Sequence, residues 1–213
     1  MTTALDAFEA WLAYLFDRPA DEDRTEPAPT EWTTRHAPHD GPVAAARRVR
    51  RLFDEAGNLL SAYSDERVGR GLQVVVDSSF GGEIRALTDR RVSRQDRIGG
   101  LRSIRTLFAE VFAERLHGDS DRCGTTLEHV CFMFWDIAPI GSRGDDTVLD
   151  VLEETLALDS TACHWSALHG LGHAFYDAPE QVRDIVDGWL RKHRGISQAL
   201  SDYAALAREG AVN

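Results

Sequence analysis

One stretch of this chain occurs twice, and that duplication restricts the fold more than any other feature. Sliding CGTTLEHVCFMFWDIAP (Cys123–Pro139) forward by 40 residues lays it on CHWSALHGLGHAFYDAP (Cys163–Pro179). Cys123 then meets Cys163, Thr126 meets Ser166, His129 meets His169, and Ala138-Pro139 meets Ala178-Pro179. The segments that follow match at an offset of 34, VLDVLEETL (Val148–Leu156) on VRDIVDGWL (Val182–Leu190), with the extra IGSRGDD turn of the first copy absorbing the difference. Each copy reads as a helix, a proline-marked turn and a second helix, and Pro179 suits a first helical position, where its missing N–H costs nothing. Repeated helical hairpins are therefore expected over 123–157 and 160–193.

The remainder of the chain has the same character. Leu5, Phe8, Trp11, Leu12, Leu15 and Phe16 recur at helical spacing, predicting an amphipathic helix that ends near Pro19. Residues 17–42 hold five of the seven prolines and many acids, an irregular connection pinned by Trp32. Over 43–117 three long helices are expected. One carries Val49, Phe53, Ala56, Leu60 and Tyr63. One is capped by Ser64 and buries Val68, Leu72 and Val75. One follows Ser93 with Ile98, Leu101, Ile104, Phe108, Val111 and Phe112 as its stripe. A terminal helix is expected over 197–209. Only LQVVVD could claim a strand. The expectation is a single all-α domain over 1–213, a helical hairpin array of about 8–10 helices.

Helix pairs repeated at a period in the high thirties are the mark of an α-solenoid. The chain resembles the HEAT-like α-helical repeat proteins, with SALHGLGHAF similar to the small-residue inner helix of such a unit and the likeness strongest over Cys123–His193. It also resembles bacterial members of that group without assigned activity. The resemblance implies an α-α superhelix and no reaction. Some HEAT-like hydroxylases hold two irons with His-Glu dipeptides on equivalent helices. Here the order is Glu128-His129, and the second copy reads Leu168-His169-Gly170, so that dipeptide is absent.

The histidines raise the question of a metal. Placed on a helix at about 100° per residue, His169 and His173 lie together at one edge of the apolar arc, while His164 points about 140° away from His169. An i, i+4 histidine pair chelates zinc or iron when a third ligand joins it. If the two inner helices stack in register, His129 supplies that ligand, with Glu128 beside it and Asp136 two turns further along. The candidate ligands are thus His129, His169 and His173. The simpler expectation is that these are packing histidines beside Gly170 and Gly172, with no metal or other cofactor bound. Glu128 has a structural use as well, because Thr125-x-x-Glu128 is a capping box. Asp136, inside the apolar FMFWDI, calls for a partner such as an arginine of the basic middle.

Charge and composition narrow the function. Residues 1–42 carry a net −6, 43–105 a net +5 and 106–213 a net −10, and the pI is near 5.1. That balance disfavours a dedicated nucleic-acid binder, although ARRVRR and RRVSRQDR keep a HEAT-like nucleic-acid-binding reading in view. Lys192 is the one lysine among 24 basic residues, a trace of GC-rich coding. No apolar run approaches the roughly 18 residues of a membrane span, and the first residues lack the basic leader of a signal peptide, so a cytoplasmic protein is expected. Three cysteines (Cys123, Cys131 and Cys163) are expected as reduced core thiols. There is no Gly-rich phosphate loop, nucleophile elbow or CxxC, and HAPHD (His36–Asp40) lacks the companions of a phosphohydrolase site. The leading expectation is a non-catalytic helical-repeat protein that binds another protein, of the antitoxin, immunity or scaffold type. The alternative is a metal-dependent hydrolase or oxygenase with its histidine site between adjacent repeats.

Overall fold

The computed structural model describes residues 4–17, 40–117, 124–141 and 146–212. Cys123, Trp32, His36, most of the proline-rich connection and most of the IGSRGDD turn lie outside these residues. The described residues are helical, with no strand among them. In chain order the helices are α1 (Ala4–Phe16), α2 (Pro42–Asp54), α3 (Ala56–Leu60), α4 (Asp65–Val76) and, after a 3₁₀ turn (Glu83–Thr88), α5 (Arg94–Leu107). α5 runs on through a π-helical segment (Phe108–Phe112) into a last turn (Ala113–Arg115). Then come α6 (Thr126–Ile137), α7 (Thr147–Leu156), α8 (Thr161–Ala174), α9 (Pro179–Lys192) and α10 (Gln198–Ala207).

The helix starts follow from local chemistry. Hydroxyls of Ser64, Ser93, Thr125, Ser160 and Ser197 each accept a bond from the backbone N–H three residues on, satisfying donors that no helical carbonyl can reach. Pro42 and Pro179 open α2 and α9. The capping box at Thr125 is complete in both directions. LQVVVD is the last stretch of α4, where Val74, Val75 and Val76 are all buried, so an unbroken apolar run reflects burial on every side rather than a strand. The single helix expected across Val49–Tyr63 is instead two, interrupted at Glu55 (φ −111°, ψ 15°). The π segment places Phe108 against Phe112, Phe134 and Trp135, at centroid separations of 4.9, 5.2 and 6.0 Å.

α8 is the central element. Every residue from Cys163 to Gly172 is buried, and the helix packs against α6, α7, α9, α10 and the π segment. Small residues make that enclosure feasible. A Cβ added at Gly170 would lie 2.6 Å from both the Trp135 ring of α6 and Leu152 of α7, and one at Gly172 would lie 2.3 Å from Val212 of the carboxy-terminal tail. α6 is held from its other side by α4, through Gly69, whose added Cβ would lie 2.6 Å from the backbone nitrogen of Leu127. Contacts between α6 and α8 advance in the same direction along both helices, Phe132 on His169 and then Asp136 on His173, so the two run parallel. α7 lies mainly against α5 and α8. In the basic middle, Arg48, Arg50 and Arg51 pair with Asp40 and Glu83, Asp54, and Glu55 respectively. No helix among the described residues is long and apolar enough to cross a membrane.

Candidate metal centre

α8 brings His169 and His173 one turn apart on one face, with ring centroids 4.6 Å apart and their Nε2 atoms 3.1 Å apart. Parallel packing of α6 then sets Asp136 beside them, its Oδ1 3.6 Å from His173 Nε2. One ligand atom from each of the three lies within 4.8 Å of the others, and among the described residues no other group of three potential ligands converges in this way. The site is asymmetric: His169 is 1% exposed, whereas the His173 and Asp136 side chains are 41% and 45% exposed.

The third member is Asp136, not His129. His129 sits half-buried on α6, seven residues and thus about 10 Å before Asp136 along the helix. The residue that meets the His169 ring is Phe132, at 4.8 Å, one turn beyond His129. A stacking of exact repeat equivalents would have placed His129 there. The observed register is displaced by about a turn, which carries Asp136 to His173. Asp136 therefore lies beside a histidine rather than an arginine of the basic middle. Glu128 is committed elsewhere, its Oε2 accepting from the Gly124 and Thr125 N–H groups and the Thr125 hydroxyl.

His164 belongs to a separate environment. Its Nε2 lies 2.7 Å from the Leu158 carbonyl, to which it donates, and its ring stands edge-on to Trp189 at 5.1 Å. Burial lowers its pKa. Cys131 and Cys163 are both buried.

No protein family, curated protein or solved structure matches this chain. Burial, reinforced by the neighbouring His173 and opposed by Asp136, pushes the pKa of His169 down to about 4, so this imidazole is neutral at physiological pH. Its Nδ1 is 2.6 Å from the Tyr203 hydroxyl, and burial pushes that phenol up to about 12, so it stays protonated and can donate or accept. With Nδ1–H donating to Tyr203, the Nε2 lone pair of His169 faces His173 and Asp136.

Two imidazole nitrogens and a carboxylate suit zinc and its first-row neighbours rather than magnesium or calcium. Zinc–nitrogen bonds of about 2.0–2.1 Å in a tetrahedron require ligand-to-ligand edges of about 3.3–3.4 Å. The observed 3.1 and 3.6 Å bracket that value. The remaining edge, between Asp136 and His169, is no longer than 4.8 Å. Sequence reasoning found both histidines through their i, i+4 spacing. It missed Tyr203, for which the sequence offers no local signal, because α10 reaches α8 only through tertiary packing.

Proposed function

We propose that this protein binds one divalent transition metal of the zinc class through His169 Nε2, His173 Nε2 and Asp136. The observation that carries the reading is a buried, neutral imidazole whose partner nitrogen stands at chelating distance beside a carboxylate. Three protein ligands leave a fourth position toward solvent, on the side where His173 and Asp136 are exposed. A water held there by zinc has its pKa lowered to about 7, which makes metal-assisted hydrolysis the reaction class that the site suits.

Purified protein stripped with chelator and titrated with Zn²⁺ is expected to take up one equivalent. His169→Ala, His173→Ala and Asp136→Asn are each expected to weaken binding by on the order of 100-fold or more, since loss even of an outer-shell group costs about 10–100-fold. Wild-type protein taking up well under one equivalent at saturating metal would end the proposal.

A second reading is a HEAT-like array that grips a protein partner. It draws on the parallel packing of α6 and α8, as expected for equivalent helices of adjacent repeats, and on the exposed acids Asp150, Glu153 and Glu154 of α7. Neutralising those three acids would then weaken capture of a basic partner while leaving metal stoichiometry unchanged. Undiminished capture would dismiss that role for α7.

A further inference from the structure

We propose that Tyr203 is the positioning residue of this centre, holding His169 in the tautomer and ring orientation that present Nε2 to the metal; this rests on the metal-binding reading above. The arrangement is built rather than incidental. Ser197 caps α10, and Leu200, Ala204 and Ala207 form its buried stripe. Tyr203 falls beside that stripe and packs against Trp165 of α8 with the rings tilted by 48°, their centroids 4.7 Å apart. Its ring plane lies within 4° of the His169 ring plane, so the hydroxyl meets Nδ1 nearly in the plane of the imidazole at 2.6 Å. Phe132 closes the His169 ring from another side at 4.8 Å and also approaches Tyr203 at 6.2 Å.

The proton accounting explains why a hydroxyl suits this position. A neutral imidazole carries one N–H, and metal ligation through Nε2 requires it at Nδ1, where a buried acceptor must take it. Tyr203 oxygen is that acceptor. In the other tautomer Tyr203 donates to Nδ1, and the ring proton sits on Nε2, between the two histidines. The phenol serves both states without a charge change, so His169 Nδ1 keeps its hydrogen-bond partner whether Nε2 faces His173 or the metal.

Tyr203→Phe removes the acceptor and keeps the ring that packs on Trp165. It is expected to weaken Zn²⁺ binding by about 10–100-fold, the range observed when an outer-shell partner of a ligating histidine is lost. Phe132→Leu, which alters the packing around the same ring without touching the hydrogen bond, is expected to leave affinity within about threefold. In zinc-loaded wild-type protein, ¹⁵N-resolved NMR should show His169 ligated through Nε2, with an Nδ1–H protected from exchange. That readout requires no variant to fold. Wild-type protein that binds zinc while Tyr203→Phe binds equally well would overturn the positioning role and leave the metal site standing. Equal losses in Tyr203→Phe and Phe132→Leu would assign the effect to packing, and ligation through Nδ1 would contradict the proposal outright. Failure of wild-type protein to bind zinc would instead remove the metal reading on which the role depends.

Discussion

Replacing Gly69 with alanine is expected to lower the unfolding free energy by about 3 kcal/mol, against the usual gain of about 1 kcal/mol for glycine to alanine inside a helix. The added Cβ would stand 2.6 Å from the Leu127 nitrogen and 2.9 Å from the Thr126 carbonyl carbon. Both are backbone atoms at the capped start of α6, so neither can turn aside, and relief requires α4 and α6 to move apart. Gly170→Ala should also destabilise, by about 2 kcal/mol, because the atoms it meets are the Trp135 ring and a Leu152 methyl, and only the latter can rotate away. Gly188→Ala on α9 provides the contrast. Its Cβ meets only the Arg191 guanidinium at 3.7 Å, so it should gain about 0.5–1 kcal/mol. Urea midpoints of the three variants at constant slope decide the matter. A stabilising Gly69→Ala would mean that α4 and α6 are not in backbone contact.

The second large effect is a loss of stability in mild acid. His164 and His169 are buried, and burial is the main cause that lowers both pKa values, that of His169 to about 4. In the unfolded chain a histidine titrates near 6.5. Below that value the unfolded state takes up protons that the folded state refuses. The stabilisation is therefore fully present above pH 6.5 and declines as pH falls toward about 4. For His169 the loss comes to about 2 kcal/mol, after allowance for screening by the water that reaches His173 and Asp136 alongside it. Denaturant unfolding in chelator at pH 7.5, 6.0 and 5.0 should show a progressive fall, shallower in His169→Gln. A flat profile across that range would contradict the burial of these two rings.

Helix identity was written in local chemistry, and the assembly was not. Ser64, Ser93, Thr125 with Glu128, and Pro179 each mark a helix start in the sequence, and the structure begins a helix at each. The interruption at Glu55 and the π segment at Phe108–Phe112 had no such marker, because the apolar stripe runs through both without changing period. The site divides along the same line. His169 and His173 share one helix, so their spacing alone puts them together, and it also sends His164 away to Trp189. Choosing between His129 and Asp136 required the register of α6 on α8, which depends on how closely Gly170 admits Trp135. Tyr203 lies a full helix further along the chain and joins only through tertiary packing.

Crystals of the zinc-loaded protein, measured on both sides of the zinc absorption edge, test the centre most directly. One anomalous peak is expected, about 2.0–2.2 Å from His169 Nε2, His173 Nε2 and an Asp136 oxygen. A saturated crystal with no peak there, the two Nε2 atoms still sharing a proton, would contradict the account.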